Sequence, residues 1–446
     1  MKLETVKSFV LVVLIGASLL LSYTLWSYQP NSDMTLGGEI VDNEMNAGGF
    51  SDKTKRSMVK PMDIIFHSPN GYYGFIKATD RDTLYEQMQS WVVTNFSAGG
   101  VENYDTSEQG VELIFTDEIP MEIINSLFSF GTDDIVFPSW SMNRIFISFI
   151  DESKSLNVEF ISSDKNNTAT AVINDTASYD QLWTTLTSLD DEILTEYVAL
   201  NDDSSAIYIP AGKVSLPTYS ITPADINPNL FVNILFPNPA VVRETNSQSI
   251  GETYFTDSRQ MSVYNDRLRM EYVNHGVSTL DEQSFISETE LLDRTITHIN
   301  SHFGWTGDYR LEDINSQSNR VSFQKYYKGY PVFSNSKLST IQQRWALQQN
   351  GLQLIEYDRP LFQFDYEFSG NGVKSLISGE SLIDHLENST DSTLENIQDL
   401  KVGYELQYRD EENSEYIQLD PAWYKKENNS WKKVVFDKHS SQKGVE

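Results

Sequence analysis

Nucleophilic chemistry needs a hydroxyl or thiol with a base held beside it. Ser-x-x-Lys spacings recur, for example Ser57 to Lys60 and Ser322 to Lys325, and offer that pairing. Neither comes with the Lys-Thr-Gly or Ser-Asp-Asn partner that completes a serine acylation site, Gly-x-Ser-x-Gly is missing, and the chain has no cysteine. Both spacings read as coincidences in a serine-rich chain. Among six histidines, His298 and His302 stand four apart, a spacing at which two imidazoles on one helix can share zinc. The residue after His298 is Ile299 and not glutamate, so the general base of a zinc protease is missing, and both histidines read as edge-of-core or solvent positions. The acidic runs Asp190-Asp191-Glu192 and Asn201-Asp202-Asp203 lack the alternation of a calcium loop and read as solvated turns. Two carboxylates could hydrolyse a glycoside, but 64 acidic residues give no means of choosing a pair. No catalytic residue, metal or cofactor is expected.

The charge balance sets further bounds. With 33 basic against 64 acidic residues the net charge is −31, which argues against nucleic-acid binding and against binding of anionic lipid by the folded region. Without cysteine there is no disulfide framework and no lipid-attachment site, so a folded region must stand on its apolar core.

From Ser8 to Trp26 there is neither charge nor proline. Those residues make a helix of about 28 Å, close to the thickness of a bilayer's hydrocarbon. Lys2 and Lys7 against Glu4 precede the run, and Asp33, Glu39, Asp42 and Glu44 follow it, so the positive-inside bias puts the N-terminus in the cytoplasm and the C-terminal region outside the cell. The run exits through Tyr23, Trp26 and Tyr28, which suit a membrane interface better than the small residues of a cleavage site. We therefore expect a cytoplasmic leader (1–7) and an uncleaved, single-pass transmembrane helix (8–28) in the cell membrane. Within the helix Ser18 and Ser22 form a small-xxx-small pair with Leu11 and Ile15 on the same face, a surface on which a partner helix could pack closely.

Residues 29–58, rich in Gly, Asn, Asp and Ser, read as a flexible tether, with order beginning near Val59. The remaining fold class is α+β, made of small antiparallel sheets each with helices. An N-terminal domain (59–205) opens with a hairpin through Pro69-Asn70-Gly71 and a helix entered near Asp82 carrying Leu84, Met88, Trp91 and Val92. Short helices are expected over 120–128 and in "TASYDQLWTTLTSL", and a second hairpin turns at Asp151-Glu152. A middle domain (206–285) begins its helix at Asn227-Pro228 and turns a hairpin at Asn265-Asp266. A C-terminal domain (286–446) opens with Ser287 as N-cap, Glu290 completing a capping box, and Ile286 stapled to Leu291. Leu292, Ile296, Ile299 and Phe303 form its buried stripe, Gly304 stops it, and Asn350-Gly351 marks a hairpin. A further helix capped near Ser378 lets this domain divide into tandem helix-plus-strands units, 286–365 and 366–440, so the region past 206 packs as two domains or three.

The Lys/Glu leader, the span ending in "LWSYQP", the tether, and the C-terminal "YYKGYPVF", "VGY" (402–404) and "LDPAWY" (419–424) together resemble the YycH family, end to end and in order. The aromatic motifs are also similar to those of the sister YycI family, whose chains are shorter. The resemblance implies a non-enzymatic accessory regulator of the sensor histidine kinase WalK (YycG), which governs cell-wall homeostasis through a two-component system. It also implies association with YycI and with the kinase, membrane helices being a principal contact. A different class of reading is an extracytoplasmic peptide- or wall-fragment-binding module on an inert anchor. A third is an extracytoplasmic hydrolase.

Overall fold

Alternating apolar residues put about half of the described residues into strands, and the turn residues between them let nearly all of those strands pair antiparallel. The computed structural model describes residues 46–436 apart from 100–108, 133, 201–205, 248–250, 265–266, 278–285, 349–350, 369–371, 389–393 and 412–413. The expected leader, the membrane helix, Leu11, Ile15, Ser18, Ser22, Tyr23, Trp26 and Tyr28 lie outside the described residues, as do the Asn265-Asp266 turn and Asn350. Among the described residues no helix is long and apolar enough to cross a membrane.

The first sheet has ten strands. At its centre Asp63–Ser68 pairs with Gly71–Phe75 on one side and with Gly110–Pro120 on the other, placing Ile64 opposite Leu113 and Phe66 opposite Val111. The edge beyond Gly71–Phe75 is built by Leu194–Ala199 and Tyr208–Pro210. The helix Thr176–Ser188 is capped by Asp175, which accepts from the Ser178 amide. It buries Tyr179, Leu182 and Leu186 in the core that also holds Ile64 and Phe66. The helix Ala78–Met88 begins four residues before the expected Asp82 and ends before Trp91. Val92 already opens the strand Val92–Ala98 and is 52 % exposed, so consecutive β-branched residues win over the helical spacing here.

The second large sheet runs through fourteen strands. Several of its pairings cross the domain limits expected from sequence. Arg269–Asn274 pairs with Gly351–Pro360, and Tyr219–Asp225 pairs with both Phe362–Glu367 and Ser414–Glu427. The limits at 285/286 and 365/366 thus do not separate sheets: strand edges left open within 206–285 are closed by strands of the C-terminal region. The sheet also contains Asp308–Asn315, a strand sequence patterning passes over because Arg310 occupies a buried position in it. The strand Tyr330–Phe333 joins Asp399–Glu411 in parallel.

The expected N-caps form, although at Ser287 only the hydroxyl half of the expected capping box with Glu290 is present. Asn227, Ser287 and Ser378 accept from the amides of Asn229 (3.0 Å), Glu290 (3.2 Å) and Ser381 (3.2 Å). The helix Glu288–Asn300 buries Leu291, Leu292, Thr295, Ile296 and Ile299. The left-handed residue after it is Phe303 (φ 54°), with Gly304 in a different role. A Cβ on Gly304 would come within 2.6 Å of His302 and 2.7 Å of Ile299, so glycine is required there by close packing.

The packed chain begins before Val59, so residues 46–58 do not belong to the flexible tether expected over 29–58, whose remainder lies outside the described residues. Ala47, Gly49 and Phe50 donate amide hydrogen bonds, each of 3.0 Å, to the carbonyls of His302, Phe303 and Trp305. A short helix Lys55–Met58 follows, capped by Thr54, with Met58 fully buried. Backbone pairing, which low hydrophobicity does not forbid, outweighs the composition.

Candidate functional site

The two large sheets meet along a seam, and charged side chains carry much of the contact. Arg81, on the helix Ala78–Met88, donates to the Met62 carbonyl, to the Gly329 carbonyl at 2.9 Å, and to Asp82 at 3.1 and 3.2 Å. Arg310, on the strand Asp308–Asn315, donates to the same Asp82 at 3.1 Å and stacks over the Tyr326 ring at 4.1 Å. Burial alone would raise the Asp82 carboxyl, but the two guanidinium charges hold it below the usual carboxylate range. Further along, Asp117 accepts from the Ile314 amide at 3.3 Å, and the Tyr330 hydroxyl donates to the Ile76 carbonyl at 3.3 Å.

Two adjoining cavities open along this seam and share Met62, Asp63 and Tyr208. The larger holds about 300 Å³ and has walls that include Phe75, Tyr197, Ile209, Leu216, Tyr330 and Trp423. The smaller, about 150 Å³, is more polar and is lined by Arg144, Asp399 and Lys426 among others. Asp63 stands where the two join. It is the first residue of a central strand and keeps 22 % of its side-chain surface accessible. Burial pushes its pKa up to about 6 against the pull of the Arg81 charge, and burial likewise raises Asp399. Sequence reasoning missed Asp63, because one aspartate before the apolar run "IIF" looks like any strand entry among 64 acidic residues.

A second buried polar cluster lies inside the first sheet. Glu112, fully buried, bonds His67 Nε2 at 2.8 Å and pairs with Arg144, which also donates to the Ala206 carbonyl at 2.9 Å. Burial would raise Glu112, but the His67 hydrogen bond and the Arg144 charge hold it below its ordinary value. The cluster ties the segment around Ala206 to the sheet and leaves the carboxylate committed to His67 and Arg144, with the Tyr208 hydroxyl beside it.

The residues singled out for catalysis or metal binding fall elsewhere. Ser57 donates to the Thr54 carbonyl at 3.0 Å as part of a helix cap, and Lys60 pairs with Glu86 at 2.9 Å. Ser322 and Lys325 point to opposite faces of one strand. The Lys325 ammonium donates to the Thr306 carbonyl at 3.0 Å, and burial and the Arg359 charge pull it down to about 7. His302 is buried against the Tyr357 hydroxyl at 3.0 Å, and His298 accepts from Gln343 at 2.9 Å. Burial holds both imidazoles neutral, His298 down to about 4 and His302 well below its ordinary value. Among the described residues no group of three or more His, Cys, Asp or Glu side chains is placed to hold a metal.

A ten-stranded and a fourteen-stranded sheet, joined by buried ion pairs and by a shared apolar core, define an α+β body with a cavity at its seam. Sequence models of the YycH protein N-terminal domain and C-terminal domain match residues 4–190 and 204–441, and the chain belongs to the YycH family. It is 22 % identical, over all of both chains, to the Bacillus subtilis protein named two-component system WalR/WalK regulatory protein YycH. The crystal structure of YycH from Bacillus subtilis superposes with a TM-score of 0.69 at 17 % identity, covering 87 % of this chain and 98 % of that one. That likeness establishes the fold.

Proposed function

We propose that this protein is a membrane-anchored accessory regulator of the WalR/WalK two-component system, acting on the sensor kinase WalK (YycG) together with YycI and without chemistry of its own. The carrying observation is the end-to-end match of the chain to a relative named as a WalR/WalK regulatory protein. The charge-free run Ser8 to Trp26 supplies the anchor, with the N-terminus in the cytoplasm and the folded body outside. A kinase with two signalling states responds to any partner that packs better against one of them, and a coupling of about 1–3 kcal/mol shifts the balance a few-fold to a hundred-fold. The face carrying Leu11, Ile15, Ser18 and Ser22 is suited to that contact, since small residues let helices approach and hydroxyls bond across the interface.

The test is co-purification from membranes with tagged kinase and with YycI, alongside a fusion of residues 1–30 to an inert outer domain. Association and altered kinase output from the fusion support the helix-centred reading. If the fusion is silent while the body on an unrelated membrane helix regulates normally, the outer region is the active part. The seam cavity favours this second reading, a binding module on an inert anchor, because it gives the outer body a place for a ligand.

A further inference from the structure

We propose that the open edge of the strand Asp399–Glu411, beside the cavity between Phe333 and Tyr408, is a docking site for an extended basic segment of another protein, which adds to the sheet as one more strand. This contact is separate from that of the membrane helix with the kinase and does not depend on it.

The first reason is a backbone edge left without a ladder. Asp399–Glu411 is paired along its whole length with Ser414–Glu427, but on its other side Tyr330–Phe333 reaches only Tyr404 and Glu405. Pro421, opposite Tyr404, has no amide to give, so that pair is a non-bonded one and Tyr404 turns its backbone toward Tyr330–Phe333. Alternation gives Tyr408 and Asp410 the same direction, and among the described residues no strand pairs with them there. An unpaired edge of this kind is a template for a further strand.

The second reason is the space beside that edge. After Phe333 the chain leaves its strand, and Ser334, Ser336 and Leu338 line a cavity of about 390 Å³ together with Leu406 and Tyr408. Strand addition draws its affinity from main-chain hydrogen bonds and its specificity from pockets that take alternate side chains, and here both lie side by side.

Charge selects the occupant. Asp410 stands directly opposite Glu415 in the register, an unfavourable pairing of like charges that a lysine or arginine side chain would relieve. Burial and then the carboxylates of Glu415, Asp410 and Asp225 raise the Tyr408 hydroxyl, which puts all three acids at this end of the cavity. The cations nearby are already engaged. Lys433, in the cavity wall, pairs with Glu405 at 2.7 Å, Lys337 pairs with Asp358 at 3.6 Å, and Arg409, on the opposite face of the strand, donates to Gln407. The net charge of −31 opposes a second copy of this chain at the same edge.

The experiment uses the full chain in detergent micelles and a short fluorescein-labelled peptide alternating valine and lysine, read by fluorescence polarisation. A counterpart alternating valine and glutamate should bind roughly tenfold more weakly or worse. The lysine peptide N-methylated at every residue keeps its charge but gives up every amide donor, and should lose binding altogether. Asp410→Lys should weaken the lysine peptide roughly fivefold or more, while Asp180→Lys, an equal charge change at an exposed position of the helix Thr176–Ser188, should leave it unchanged. The two control peptides read the unsubstituted protein, so the test survives a variant that does not fold. Equal binding of either control peptide, no binding of the lysine peptide, an affinity unmoved in folded Asp410→Lys protein, or a dimer of the chain itself that Asp410→Lys dissociates in light scattering overturns the assignment.

Discussion

Replacing Gly49 by alanine perturbs the point where the chain first joins the folded body. A Cβ there would lie 2.3 Å from the Trp305 carbonyl oxygen and 2.8 Å from that of Phe303, both backbone atoms that cannot swing aside. The segment is held by the three 3.0 Å amide bonds of Ala47, Gly49 and Phe50 and by a 3.4 Å bond from the Trp305 amide to the Phe50 carbonyl. Each is worth about 1 kcal/mol net, and the Asn300 side chain accepts from the Lys53 amide (3.3 Å) and donates from its own amide to the Lys53 carbonyl (2.8 Å), so the clip is held by more than its backbone pairing. Losing half of the backbone bonds should lower its opening free energy by about 2 kcal/mol, which corresponds to about 30-fold faster amide exchange over residues 46–52. Melting should stop at the Thr54 cap, releasing the eight residues 46–53, roughly 27 Å of extended chain. Hydrogen-exchange mass spectrometry of the intact chain reads this directly, with the global melting temperature nearly unchanged. Unaltered exchange at residues 46–52 in a folded Gly49→Ala protein would refute the reasoning.

Other expectations concern charge. Arg310→Met removes one of the two cations on Asp82 at 3 % side-chain exposure and should cost about 3–5 kcal/mol in urea unfolding, whereas a loss under 1 kcal/mol would mean Arg81 alone holds that carboxylate. His298, held down to about 4 from an ordinary 6.5, leaves the unfolded chain binding more protons between those values. Its contribution is therefore complete above about pH 6.5 and is lost as pH falls toward 4, so His298→Gln should flatten the acid limb of a melting-temperature profile. Asp313 works in the opposite sense. Burial and the neighbouring Asp117 raise it to about 6, so the folded chain holds its proton longer and this contribution fades as pH climbs from about 4 to 6. Asp313→Asn should raise the melting temperature at pH 7.5 and leave it unchanged near pH 4. In the proposed membrane span, Ser18→Leu with Ser22→Leu should reduce kinase association in membrane co-purification more than substitutions on the opposite face, and equal losses from both faces would indicate plain anchoring.

Local signals in the sequence carried well into the structure. Asn227-Pro228, Ser287 and Ser378 begin helices because a cap is settled by atoms two or three residues apart, and the Pro69-Asn70-Gly71 and Asp151-Glu152 hairpins turn where their residues demand. What stayed hidden depends on distant partners. Nothing within "TYSITPAD" announces that its strand lies between Phe362–Glu367 and Ser414–Glu427. Arg310 reads as a solvated charge until Asp82, 228 positions earlier, is placed against it. Asp63 reads as an ordinary strand entry until the seam sets the Arg81 guanidinium 3.7 Å from it. The cavity was illegible for the same reason, since its walls come from segments as far apart as Met62 and Trp423.

The pairing of Tyr219 with Leu419 sets a timetable for the newborn chain. Two hundred positions separate the two residues, and at about 5–20 residues per second the ribosome takes roughly 10–40 s to supply the second after the first. Through that interval the strand Tyr219–Asp225 has one flank without its partner, and a chain that stops early never acquires it. Synthesis must run almost to its end before the middle of this protein is safe from proteases and from its own neighbours.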